Sequence, residues 1–214
     1  GAKDFARMRA LAYRACTFGT LLSAVFVLPL ALELPTVLDI WLAEPPDYAA
    51  GLCWSILAMH LIDRTAVGHM LAVAATGKIA AYQAFLGGSL ILTLPLAWLF
   101  VRLNWGIYAT GWAMILTMML CAWGRVWFAR TIAGLSAWHW LKKIFLPLAA
   151  IMGCTLALGA LPRLALPAGW LRLGATTLAC ETALGALAWL VVLDAHEKDL
   201  IIQKCAALKA RFAR

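Results

Sequence analysis

Charged side chains are scarce in this chain. They make up only 13% of its 214 residues, whereas apolar residues make up 64%, and the mean hydropathy is +0.87. Soluble domains carry about 25% charged residues, and a core built from one such chain could not bury this much apolar surface. The composition therefore excludes a soluble globular protein and predicts an integral membrane protein.

Several chemical motifs are also missing. The sequence contains no CxxC pair, no HExxH and no glycine-rich nucleotide loop, so we expect neither a metal site nor a cofactor. None of the six cysteines falls in a predicted outer loop, which argues against a disulfide framework. The net charge of +8 is dispersed among short loops, so nucleic acid is not an expected partner.

What the chain has instead is a series of long apolar segments. Each exceeds or approaches the length of about 20 helical residues that a hydrocarbon core requires. Together they predict an all-α bundle of six transmembrane helices within residues 1–193. The segments lie near residues 14–34, 48–73, 82–102, 106–128, 142–161 and 171–193. Residues 194–214 alternate charged and apolar side chains, a pattern typical of an amphipathic cytoplasmic helix that rests on membrane lipids.

The basic residues are distributed unequally between the two sides of these segments. With a cytoplasmic N-terminus, fifteen of the eighteen Lys and Arg residues lie on the inner side or in the inner half of a span. Only Arg102, Arg163 and Arg172 lie outside. The positive-inside rule therefore predicts that both termini are cytoplasmic. Glu33, near the outer end of the first segment, is expected to be merely interfacial.

The second segment contains the strongest candidate site. His60, Asp63 and Arg64 occupy neighbouring parts of one helix surface, because residues three and four apart are neighbours on a helix. A charged side chain at the centre of a transmembrane helix costs about 2.5–3.5 kcal/mol even on the lenient insertion scale. Asp63 and Arg64 should therefore face a wet cavity that serves transport, or form static pairs with adjacent helices.

Three further residues are candidates for substrate binding or coupling. Glu181, midway along the sixth segment, is a protonatable coupling group, the partner of Arg64, or a neutral carboxyl held by hydrogen bonds. Lys78, in a short inner loop, would contact an anionic substrate, although a purely topogenic role is equally consistent. Arg125, near the inner end of the fourth segment, either reaches toward a cavity or extends to the headgroups.

A series of short motifs resembles one family of transporters. The order of these motifs along the chain resembles the second half of Wzx-type O-antigen flippases, in the multidrug/oligosaccharidyl-lipid/polysaccharide (MOP) exporter superfamily. The motifs are VLDIWL at 37–42 with Pro45-Pro46, ATGKI at 75–79 with Tyr82-Gln83, LPLAWL at 94–99, Arg125-Val126, GLS at 134–136, and WLKK at 140–143 with Pro147.

The resemblance implies a MATE-like lobe of a two-lobed transporter that works by alternating access in the bacterial inner membrane. Its substrate would be an oligosaccharide linked to polyprenyl pyrophosphate, with Arg64 as the anion-binding candidate and Asp63 and Glu181 as coupling or orienting groups. The chain resembles only the C-terminal half of such flippases. We therefore expect a fragment, a second polypeptide that supplies the N-terminal lobe, or a pair of copies.

Two other classes of protein are compatible with six apolar spans. A membrane enzyme that acts on lipid-linked sugars would need paired acidic residues or a metal motif near one interface, and the inner loops contain no acidic cluster before the tail. We therefore expect a transporter and not an enzyme. A scaffold or assembly subunit that does not transport would tolerate replacement of Asp63 and Arg64.

Overall fold

The computed structural model describes residues 4–42, 44–194, 197–199 and 203, and the regular elements in this part of the chain are all helical. The α-helices of this part of the chain are α1 Phe5–Trp41, α2 Ala49–Thr65, α3 Val67–Ala75, α4 Ala80–Ile91, α5 Thr93–Arg102, α6 Ala109–Ala133, α7 Ala137–Trp140, α8 Leu146–Gly159, α9 Pro162–Ala165 and α10 Trp170–Val191. A 3-10 turn, Gly106–Tyr108, precedes α6, and a π turn, Leu141–Phe145, joins α7 to α8.

These helices form five segments that are long and apolar enough to cross a membrane. They are Phe5–Trp41, Ala80–Arg102, Gly106–Ala133, Ala137–Ala165 and Trp170–Val191. Helices α2 and α3 add a sixth if the pair is one span, bent by 44° at its break. The prediction of an all-α chain with multiple apolar spans is thereby confirmed, and the count of six depends on the bent pair. Most of the predicted tail, residues 194–214, lies outside the described residues.

The bundle is organised around two long helices. Helix α1 packs against α2, α3, α8 and α10, whereas α6 packs against α2 to α5. The bent pair α2 and α3 therefore lies between the two long helices and contacts both. This position brings side chains of the second span into the interior of the bundle, although the span itself is partly exposed.

The outer surface of the bundle is strongly apolar. Leucine and tryptophan side chains such as Leu94, Leu164 and Trp170 expose more than two thirds of their surface. In water this arrangement would forfeit the hydrophobic stabilisation that a soluble fold depends on, whereas lipid chains cover such side chains without cost. The surface thus agrees with the length and composition of the helices.

Candidate functional site

The second span is interrupted close to its midpoint. Helix α2 ends at Thr65, the backbone at Ala66 has φ −115° and ψ 8°, and α3 begins at Val67. Asp63 lies about 21 Å along the helix from Ala49 and about 18 Å from Ala75, at 1.5 Å per residue. The break therefore lies near the middle of the α2–α3 pair, far from both ends of this candidate span.

Three of the carbonyls just before the break have partners outside the regular helical pattern. The Thr65 hydroxyl donates to the Ile62 carbonyl at 2.7 Å, and the Ala66 N–H donates to the Asp63 carbonyl at 3.3 Å. The Trp140 indole N–H donates to the Thr65 carbonyl at 2.9 Å. Because one of these donors comes from another helix, the break is supported by tertiary contacts and not by the local sequence alone.

Close packing holds α3 against α1 immediately after the break. A Cβ placed on Gly68 would lie 1.8 Å from the Ala12 carbonyl oxygen, a separation that no side chain tolerates. Glycine therefore permits the two backbones to approach at this position. The close approach thus lets α3 pack directly on α1 after the break.

Three ionisable side chains meet at the break, and we call Asp63, Arg64 and Arg125 the ion cluster. Arg125 reaches across from α6, and its Nη1 donates to Asp63 Oδ1 at 2.6 Å and to the Asp63 carbonyl at 3.2 Å. Arg64 Nη2 donates to Asp63 Oδ2 at 2.5 Å. One carboxylate thus faces two guanidinium groups, and the cluster has a formal charge of +1.

The two arginines differ in their access to ligands. The Arg125 side chain exposes 11% of its surface, whereas the Arg64 side chain exposes 37%. Within the described part of the chain, the Nε atoms of both arginines and the hydroxyl of the buried Tyr82 lack hydrogen-bond partners. The cluster therefore has an excess of buried donors and positive charge, an arrangement that favours an anion.

The other sequence candidates are not part of this cluster. His60 is exposed on α2, and Lys78 is exposed and lines a separate cavity with Asp4 and Thr76. Glu181 is exposed on α10 and lines an apolar groove between α10 and α1. The alternative that Glu181 pairs with Arg64 is therefore wrong, because α10 packs against α1 and α8 and leaves Glu181 away from the bent pair.

A second buried carboxylate was not anticipated. Glu33 on α1 is fully buried, so the expectation that it is merely interfacial is wrong. Its Oε2 accepts from Arg172 Nε at 3.1 Å, from Arg172 Nη2 at 2.9 Å and from the Thr36 hydroxyl at 2.9 Å. Its Oε1 accepts from the Thr176 hydroxyl at 3.0 Å. These contacts, which we call the Glu33 clasp, fasten α1 to α10.

The clasp left a weak signal in the sequence. Glu33 and Thr36 are three residues apart and Arg172 and Thr176 are four apart, so each pair lies on one face of its helix. Two polar faces on apolar helices indicate an interhelical contact, but sequence spacing alone does not identify the helices that meet. Both oxygens of the Glu33 carboxylate accept hydrogen bonds within the clasp. Such an arrangement is typical of a contact that stabilises the fold.

The described residues contain no group of three or more His, Cys, Asp or Glu side chains arranged to hold a metal ion. The buried polar chemistry of this part of the chain consists mainly of ion pairs and hydrogen bonds. Comparison with known proteins yields no matching family model, no matching curated protein and no matching solved structure.

Proposed function

We propose that this chain is a lobe of a flippase that moves oligosaccharides linked to polyprenyl pyrophosphate from the cytoplasmic to the outer leaflet of a bacterial inner membrane. The single observation that carries the proposal is the ion cluster, in which two guanidinium groups share one carboxylate at a break within an apolar span. Charges at this depth are costly and mark transport pathways more often than static contacts.

The composition of the cluster favours an anionic substrate with a diphosphate. A planar guanidinium presents paired N–H donors whose spacing matches two phosphate oxygens. Arg64 is the more exposed arginine and its Nε lacks a partner among the described residues. A diphosphate would therefore be gripped first by Arg64, where the excess charge of the cluster is also most accessible.

The three residues would have different roles in this proposal. Arg125 is the buried anchor, because it holds Asp63 through both the carboxylate and the backbone carbonyl. Asp63 positions Arg64 when no substrate is bound. When Arg64 turns from Asp63 to the diphosphate, Asp63 keeps its contact with Arg125, so substrate binding leaves no buried charge unpaired.

The helix break would supply the moving element. Discontinuous transmembrane helices line the binding sites of many secondary transporters, and they absorb rotation at the break. Here the break lies between Asp63 and Gly68, next to the proposed anion site. The order of the motifs resembles that of Wzx-type flippases, which supports a transporter that works by alternating access. The same resemblance implies that a second lobe, from another polypeptide or a second copy, closes the cavity.

The test is complementation of a bacterial strain that lacks its O-antigen flippase and makes the cognate sugar. The chain is expressed in its full reading frame at matched membrane levels, and surface polysaccharide is measured. We expect wild type to restore export, Arg64→Ala to abolish it, and Arg64→Lys to restore it only in part, because an ammonium is a point charge without the guanidinium fork. Arg130→Ala, an exposed arginine on α6, is the matched control.

Each outcome bears on a separate part of the proposal. Failure of the wild-type chain to restore export when the second lobe is supplied with it would overturn the flippase function. An active Arg64→Ala variant would leave the function and overturn the site, and it is the result that a non-transporting assembly subunit predicts. Loss of export in Arg130→Ala as well would show that the effect is not specific to the ion cluster.

A further inference from the structure

A cavity of about 390 Å³ lies where the N-terminal part of α1, the π turn and the C-terminal end of α10 meet. It is separate from the ion cluster, and its wall contains basic, acidic and neutral polar side chains. The polar side chains of the wall are Tyr13, Arg14, Thr17, His139, Lys143, Asp194 and Glu197. The mixture of signs at one end of an apolar bundle requires a physical explanation.

The charges in this cavity balance each other. Arg14 Nε lies 3.3 Å from Glu197 Oε1, yet the Arg14 side chain keeps 51% of its surface exposed. Lys143 and Asp194 add one charge of each sign, and neither forms an ion pair with any described residue. Two cations and two carboxylates give a formal charge of zero, which suits a zwitterion better than an anion.

Aromatic contacts give the cavity a fixed wall. The Tyr13 hydroxyl accepts from the Ser136 N–H at 2.7 Å, and the Tyr13 and His139 rings lie 4.9 Å apart. Tyr13 therefore ties α1 to the segment that leads into the π turn. The π turn precedes Pro147, which has no N–H to donate to the Lys143 carbonyl four residues earlier. Lys143 lies within the π turn and lines the cavity.

The floor of the cavity is apolar and continues into a groove. Phe18 lines both the cavity and a second space of about 390 Å³ between α1 and α10. The remaining lining of this groove is apolar except for Glu181 at its far end. Its apolar walls include Leu21, Leu22, Val25, Leu184 and Ala188. From Arg14 to Val25, α1 rises about 16 Å, close to half of a hydrocarbon core about 30 Å thick.

We propose that the cavity and the groove that continues from it, together called the crevice, bind a phospholipid whose headgroup combines a phosphate with a primary ammonium. Arg14 and Lys143 hold the phosphate, Asp194 and Glu197 accept hydrogen bonds from the ammonium, and one acyl chain follows the groove between α1 and α10. A primary ammonium donates three hydrogen bonds, whereas a quaternary ammonium donates none. The crevice therefore selects phosphatidylethanolamine over phosphatidylcholine because only a primary ammonium donates hydrogen bonds to the two carboxylates. It selects phosphatidylethanolamine over phosphatidylglycerol because the phosphatidylglycerol headgroup has no positive charge for these carboxylates to bind.

The test measures lipid binding and not transport, so its failure would leave the flippase proposal standing. The purified chain is incubated in micelles with phosphatidylethanolamine, phosphatidylglycerol or phosphatidylcholine of identical acyl chains, and bound lipid is counted by native mass spectrometry. We expect phosphatidylethanolamine to be retained about threefold to fivefold over either competitor, the ratio that one exposed ion pair supports. Equal retention of all three, or preference for phosphatidylglycerol, would overturn the proposal.

Variants assign the preference to named side chains. Glu197→Gln is expected to abolish the preference for phosphatidylethanolamine over phosphatidylglycerol, while its amide oxygen still accepts from the Asp194 N–H, as Glu197 does at 3.1 Å. Asp194→Asn serves as a second variant with the same expected direction. Arg14→Gln should lower retention of both lipids. Lys142→Gln is the control, because the Lys142 ammonium lies over the Trp138 ring, 4.5 Å from its centroid.

A further pair of measurements separates a lipid from a soluble headgroup. Gly185 lines the groove, and a Cβ placed on it meets no atom within 4 Å, so Gly185→Leu adds apolar bulk to the groove from a position with free space around the Cβ. This variant should lower lipid retention. Soluble glycerophosphoethanolamine should compete only weakly, and competition as strong as that of the lipid would overturn the acyl-chain part of the proposal.

Discussion

Arg125 on α6 holds Asp63 on α2 at two points, through the carboxylate at 2.6 Å and through the backbone carbonyl at 3.2 Å. The second contact matters because the Asp63 carbonyl lies in the last turn before the helix break, where the usual helical donor is replaced. Arg64, by comparison, contacts only the carboxylate and is more exposed. The two arginines should therefore differ in their contributions to folding.

Replacement of Arg125 should destabilise the protein more than replacement of Arg64. For Arg125→Gln we expect a loss of about 2–3 kcal/mol, below the roughly 3–5 kcal/mol of a fully orphaned buried charge, because Arg64 still pairs with Asp63. For Arg64→Gln we expect a loss below about 1 kcal/mol, since that side chain is partly exposed. Denaturant titration in mixed micelles measures both, and equal losses would contradict this division.

The Trp140 indole should stabilise the helix break. Trp140→Phe keeps an aromatic ring, although a smaller one, and removes the N–H that donates to the Thr65 carbonyl, so we expect a loss of about 1 kcal/mol in the free energy of unfolding. Trp138→Phe is the matched control, because Trp138 is exposed two residues away. A loss in the control as large as in Trp140→Phe would mean that ring size, and not the hydrogen bond, is responsible.

Gly68 should be intolerant of even a methyl group. Gly68→Ala would place a Cβ 1.8 Å from the Ala12 carbonyl oxygen, and separating the two backbones should cost about 1–3 kcal/mol. Gly87→Ala provides the comparison, because a Cβ there meets nothing within 4 Å and alanine favours a helix by about 0.5–1 kcal/mol. The two thermal midpoints should shift in opposite directions, and a stabilised Gly68→Ala would refute the close approach.

The Glu33 clasp should show strong coupling between α1 and α10. In a double-mutant cycle of Glu33→Gln and Arg172→Gln, we expect an interaction energy of about 1–3 kcal/mol, because each single variant leaves a buried partner unsatisfied. Asp39→Asn, an exposed carboxylate on α1, should change stability by no more than about 0.5 kcal/mol. Additive effects at Glu33 and Arg172 would show that the clasp contributes little.

The candidate site was predictable only in part. Asp63 and Arg64 are candidates in the sequence because they are charges in the middle of an apolar run, and Arg125 is a candidate because it lies near the inner end of the fourth segment and could reach toward a cavity. That Arg125 contacts Asp63 could not be read from spacing, since 62 residues separate them. The position of Glu181 could not be predicted from the sequence either, because the rotation of α10 against α1 determines whether its carboxylate faces another helix or the groove.

The helix break shows the same limit. The sequence from 49 to 75 is apolar enough to predict one continuous span. The helix is interrupted at position 66, where the residue is alanine and not a helix-breaking proline or glycine. The interruption is stable because Trp140 and Arg125 donate to carbonyls that a regular helix would satisfy by itself. These donors come from distant parts of the chain, so local propensity carries no information about them.

That this chain forms long apolar helices follows from its sequence alone, because the length of an apolar run and the scarcity of charge can be read along one chain. The break in the second span, the sharing of Asp63 by two arginines and the burial of Glu33 against Arg172 are visible only in the folded molecule. Those contacts depend on the rotation and relative height of neighbouring helices, which hydropathy along one helix does not specify.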